Sequence, residues 1–241
     1  MGFTTYEDCR DRAGHLGTKV FALSDFDLGL NKGKCKVSNE IDGAKIGNYC
    51  KIGPYCCIGS AVTLDDNVIL ESHVVISGKT FIGKGTKVWP FASIGSDPQD
   101  LKYSGEKTTL IIGKNNLIRE CVSISTGTDG GGGVTSIGNN CLFMLGSHVG
   151  HDCKLGDNIV VANSSAIAGH VIIEDNVNIG GLVGVHQFCR IGEGSMIGAH
   201  AMVSKDVIPF SMIVGLRPVL SGVNLSLIHI SEPTRLLSIA F

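Results

Sequence analysis

The chain has 241 residues, 43% of them apolar, and a formal net charge of −2. That is enough for one sizeable core, and too little charge to argue for nucleic acid or an anionic membrane surface as a partner. No apolar run approaches the roughly 20 residues that span a bilayer. The N-terminus, MGFTTYEDCRDRAG, has neither an apolar signal core nor the acid-poor character of a transit peptide, so a cytoplasmic protein is expected.

Residues 1–35 carry no repeat and read as an N-terminal cap or a disordered segment. From residue 36 to residue 224 the dominant signal is an aliphatic residue at every sixth position. It runs through Ile46, Ile52, Ile58 and onward to Ile94, then from Ile137, Phe143 and Val149 onward to Val203. A period of six sustained over this length predicts an all-β parallel β-helix, each hexad one short strand and a corner, three hexads to a triangular coil. A second inward slot lies four residues after each aliphatic one. Cys50, Cys56, Cys141, Cys153 and Cys189 occupy it, so five of the nine cysteines are expected to be reduced, buried and structural. No CxxC pair argues for a metal or a redox site.

The repeat fails twice. Continuing the register past Ile94 would bury Asp100 and Glu106, a costly place for carboxylates, so residues 97–111 are read as a loop thrown outwards. Residues 127–135 (GTDGGGGVT) form a second loop. Its glycine run lacks the GK[ST] ending of a phosphate-binding loop and is read as flexible. Counting one face per hexad, Ile94, Ile124, Val149, Ile167 and Val185 fall on one face of the prism, and both loops leave from it. So do His151, His170 and the His186–Gln187 pair, with His148 on the corner leading in. Insertions gathered on one side of a repeat protein commonly mark its binding surface.

None of these histidines occupies an inward slot. Two chemistries suit the cluster. His151 can act as a general base, since imidazole titrates near neutral pH, with Asp152 orienting it. Alternatively, neutral imidazoles can hold zinc, as in the hexapeptide-repeat carbonic anhydrases, although His148 and His151 are three apart where those enzymes usually space the pair by five. A non-catalytic β-helix scaffold is the third reading, disfavoured by the irregular loops and the histidine cluster.

Five segments occur in order: QDLKYSGE at 99–106, IRECVSI at 118–124, HVGHDC at 148–153, AGHV at 168–171 and HQFC at 186–189. Together they resemble the acyl-carrier-protein-dependent UDP-N-acetylglucosamine O-acyltransferases, which begin lipid A biosynthesis. The resemblance implies a left-handed β-helix, a homotrimer with active sites between subunits, and no metal or organic cofactor. It implies transfer of an (R)-3-hydroxyacyl group from acyl carrier protein to the sugar 3-hydroxyl. His151 is then the base, Asp152 its support and the Gly169 amide the oxyanion donor. Gln99, Asp100, Lys102, His148, His170, His186 and Gln187 become substrate contacts. Ala199 matches the position that limits acyl length, implying a medium-length chain.

Members of that family continue into a C-terminal helical region with basic residues. Here the chain turns to LSLIHISEPTR at 225–235, which is what a sequencing adapter encodes when translated. Residues 225–241 are therefore read as an assembly artefact that leaves the helical region missing, with weak or absent activity expected of this chain.

Overall fold

The computed structural model describes residues 21–22, 43–216 and 219–224. The readings of residues 1–35 as a cap and of residues 225–241 as an artefact fall almost wholly outside them. The described residues form a left-handed parallel β-helix of three sheets. One face stacks Lys51–Ile52, Ile69–Leu70, Lys87–Val88 and their successors to Ser211–Val214, where Val219–Val223 adds an antiparallel edge. A second face runs from Cys57–Ile58 to Met202–Val203, and a third from Lys45–Ile46 to Arg190–Ile191. Most strands are two residues long, the outer residue exposed or half-buried and the aliphatic one buried.

This local structure follows from the hexad. Ile52, Leu70 and Val88 lie directly over one another at eighteen-residue intervals, each strand donating to the next coil (Lys51 N–H to Val68 O, 2.9 Å). At most corners the residue three after the aliphatic one takes a left-handed backbone to make the turn. That conformation costs an ordinary L-residue about 1–2 kcal/mol, and asparagine adopts it more readily; Asn67, Asn115, Asn140, Asn158 and Asn176 fill it on one edge. Both inward slots are buried as the register requires, and all five cysteines assigned to the second slot are in the core.

The second face carries Ile94, Ile124, Val149, Ile167 and Val185, and both insertions leave from it. Ile94 pairs with Ile124 at a separation of thirty rather than eighteen, an insertion of twelve; Ile124 pairs with Val149 at twenty-five, an insertion of seven. The loops are shorter than the sequence reading of 97–111 and 127–135. Thr109–Ile112 and Val134–Ile137 are strands of the third face, because Leu110 and Ile112 supply two buried side chains and Leu110 aligns with Thr80 and Thr135.

Candidate active site

His151 and Asp152 turn the corner that follows the His148–Val149 strand. Asp152 holds the left-handed position (φ 58°), and with that backbone its side chain is buried, only 4% of the residue exposed. His151 Nδ1 lies 2.8 Å from Asp152 Oδ2. The second loop completes the carboxylate's shell: the Thr128 amide N–H donates to both oxygens (2.9 and 3.1 Å) and the Thr128 hydroxyl to Oδ2 (2.6 Å). The Asp152 N–H itself donates to Thr135 Oγ1 at 2.8 Å.

One coil further, eighteen residues on, Gly169 lies over His151 and His170 over Asp152. A Cβ at Gly169 would come within 2.6 Å of His151 Nε2, so the imidazole sits directly on the Gly169 backbone. Among the described residues the Gly169 amide N–H donates to no other group. His170 Nδ1 is 3.9 Å from Asp152 Oδ2, its ring stands edge-on to His151 at 4.9 Å, and its other side stacks on Phe188 at 4.4 Å. Gln187, one coil beyond Gly169, is exposed, and His186 Nδ1 is 3.1 Å from the Gln187 carbonyl.

His148 is on the strand rather than the preceding corner, with Nδ1 2.8 Å from Ser123 Oγ of the neighbouring strand. Burial, and secondarily the neighbouring His151, hold its pKa below the ordinary histidine value.

The remaining sequence-predicted residues are held elsewhere in the chain. In the first loop the Lys102 N–H donates to Asp100 Oδ1 (3.0 Å) and Gln99 is exposed, with no hydrogen bond from these three to His151 or Asp152 among the described residues. Ala199 is exposed on the corner after Met196–Ile197, at the opposite edge of the second face.

Sequence reasoning missed Thr128, Thr135 and Phe188. The glycine loop makes a 3-10 turn at Asp129–Gly131 against the site, a contact that the sequence reading did not include: a Cβ at Gly131 would fall 2.0 Å from Asp152 Cγ. The available signal was the threonines flanking the glycines, each able to donate to a buried carboxylate.

One possible ligand atom from each of His151, Asp152 and His170 also lies within 4.8 Å of the other two, close enough to share a metal ion. The hydrogen bonding argues against that use. Asp152 Oδ2 already accepts from Thr128 and faces His151 Nδ1, and an ion would have to displace these donors. The arrangement suits a hydrogen-bonded acid–base pair, with the far side of the His151 ring packed against the Gly169 backbone.

The bacterial transferase hexapeptide family (six repeats) matches residues 43–78 and 170–205. The acyl-[acyl-carrier-protein]–UDP-N-acetylglucosamine O-acyltransferase of Paracoccus denitrificans is 57% identical over 138 residues, covering 57% of this chain and 53% of that protein. Its Helicobacter pylori counterpart is 50% identical over 147 residues, covering 61% and 54%. The chain thus spans about half the length of the curated relatives it matches. Among solved structures, a UDP-N-acetylglucosamine acyltransferase superposes with a TM-score of 0.82 at 39% identity, covering 92% of this chain and 80% of that one. The Moraxella catarrhalis O-acyltransferase gives 0.77 at 42% identity, covering 80% and 75%. On this sequence identity and this coil geometry, the chain belongs to the UDP-N-acetylglucosamine O-acyltransferase family.

Proposed function

We propose that the chain transfers an (R)-3-hydroxyacyl group from acyl carrier protein to the 3-hydroxyl of UDP-N-acetylglucosamine, the first step of lipid A biosynthesis. The observation that carries this reading is the His151–Asp152 pair beside the free Gly169 amide. An ionised carboxylate only accepts, so the His151 proton resides on Nδ1 and leaves Nε2 as the base. Nε2 takes the sugar hydroxyl proton as that oxygen attacks the thioester carbonyl. The resulting oxyanion accepts from the Gly169 N–H, an interaction typically worth about 2.7–4 kcal/mol. Collapse expels the carrier's thiolate, which recovers the proton from the imidazolium, and Asp152 stabilises that cation meanwhile.

His148, His170, His186 and Gln187 surround the base as sugar-nucleotide contacts, and the acyltransferase unit is assigned to residues 36–224. Among the described residues Gln99, Asp100 and Lys102 make no hydrogen bond to His151 or Asp152, and Ala199 lies at the opposite edge of the second face. A homotrimer with sites between subunits accounts for their participation, since a neighbour's loop or corner can then complete the site. Ala199 is assigned to the acyl groove, where its methyl favours medium-length chains; preference for chains of about sixteen carbons or more in a donor competition would reject that assignment. No described helix is long and apolar enough to cross a membrane, and a cytoplasmic setting matches the soluble substrates.

The test is acyl transfer to UDP-N-acetylglucosamine by the purified chain, at enzyme concentrations high enough to read the weak turnover expected of it, with His151→Ala abolishing what is seen. Stoichiometric bound zinc with carbon dioxide hydration, and no acyl transfer, would replace this reading with the anhydrase.

A further inference from the structure

Asp152 is held from outside its own coil. Its neighbours along the chain contribute His151, but three of the contacts to its two oxygens come from one residue, Thr128, of the second insertion. The hydroxyl contact is short at 2.6 Å, as expected of an O–H donating to a carboxylate. It falls on Oδ2, the same oxygen that faces His151 Nδ1. Thr128 is buried, and its side chain has no other partner among the described residues. The bonds that shape the loop use its backbone instead, with Gly131 N–H and Gly133 N–H both donating to the Thr128 carbonyl.

The glycines make this approach possible. A Cβ at Gly131 would overlap the Asp152 carboxyl, and one at Gly127 would lie 2.3 Å from the Val134 nitrogen and 2.8 Å from Asp152 Oδ1. The clamp is also tied to the first insertion, since Thr108 Oγ1 donates to Thr126 Oγ1 at 3.0 Å, both buried.

We propose that Thr128 is a positioning residue for the acyl transfer: its hydroxyl fixes the Asp152 carboxylate so that Oδ2 receives His151 Nδ1–H and Nε2 faces the sugar hydroxyl. The inference rests on the reading of His151 as the base. Thr128→Val keeps the branched shape and the loop's backbone bonds but removes one charge-assisted donor. Losing such a bond lowers kcat about ten- to hundredfold, while KM for UDP-N-acetylglucosamine stays within about twofold. Thr128→Ser restores kcat. In protein labelled with 15N-histidine, the His151 Nδ1–H resonance broadens and moves upfield in Thr128→Val and returns in Thr128→Ser. Thr128→Ala, which removes the hydroxyl without adding a γ-methyl, gives the same signature should Thr128→Val fail to fold. An unchanged kcat and an unchanged Nδ1–H resonance in Thr128→Val overturn the proposal. An active His151→Ala variant instead removes the base reading, and the resonance then still decides whether Thr128 sets the pair's geometry.

Discussion

Gly169 supports the His151 imidazole with bare backbone: a Cβ built there would come within 2.6 Å of both Nε2 and Cε1. The glycine is needed for space, since the left-handed corner belongs to the next residue, His170. Gly169→Ala therefore pushes the ring off the amide while leaving the corner unstrained. Displacements of about 1 Å can cost about a hundredfold in rate, so acyl transfer is expected to fall at least that far while the Tm moves by only a few degrees. Wild-type turnover in this variant would show that the ring does not work from the position described.

His148 links the site to pH. Burial, then the neighbouring His151, lower its folded pKa, so between that value and the ordinary 6.5 the unfolded chain binds a proton that the folded chain does not. Stability from this residue is complete above about pH 6.5 and is lost as pH falls towards the folded pKa. The surface carboxylates with lowered pKa values, Glu106, Glu120 and Glu174, act in the same direction but only below their ordinary 4.5, which separates the two windows. Urea denaturation between pH 7 and 5 should show the loss in the native chain and a flatter profile in His148→Gln. Identical slopes would assign the loss to other groups.

The fold was legible because a hexad repeat encodes both the strand and the corner, and burial of Ile94, Ile124 and Val149 on one face follows from counting. The length of each insertion was not legible. Register alone does not show that Leu110 re-enters the core beside Thr80. The pairing of His151 with Asp152 could be read from adjacency, whereas Thr128, twenty-four residues upstream, reaches Asp152 only because an insertion folds back over the next coil. His73 is exposed, and it stacks between Tyr55 and Phe91, at 4.8 and 5.0 Å, because all three occupy the same corner of successive coils.

The cysteines give a test of the coil register. Burial raises the thiol pKa of Cys50, Cys56 and Cys189, pushes Cys141 up to about 11 and Cys153 up to about 12. The reactive thiolate is then scarce at neutral pH and the sulfur inaccessible. Cys57 and Cys121 are exposed. Brief alkylation of the native protein followed by peptide mass mapping should label Cys57 and Cys121 and spare Cys50, Cys56, Cys141, Cys153 and Cys189. Labelling of Cys153 as fast as Cys121 would contradict the register.

Ser147 is the weak point of the core. It occupies the second inward slot, fully buried, and its hydroxyl has no hydrogen-bond partner among the described residues. Ser165, one coil on in the same slot, donates to the Gly180 carbonyl at 2.7 Å, so the slot tolerates serine where a carbonyl is within reach. An unsatisfied buried hydroxyl costs about 1–3 kcal/mol. Removing it recovers part of that, less whatever is lost in packing by deleting one atom. Ser147→Ala is therefore expected to raise the unfolding free energy by about 1 kcal/mol, and Ser165→Ala, which strands the Gly180 carbonyl, to lower it by a similar amount. Urea denaturation of the two variants side by side reads the difference. If both substitutions destabilise equally, Ser147 has a partner in solution, such as a buried water, and its hydroxyl belongs to the core's hydrogen bonding after all.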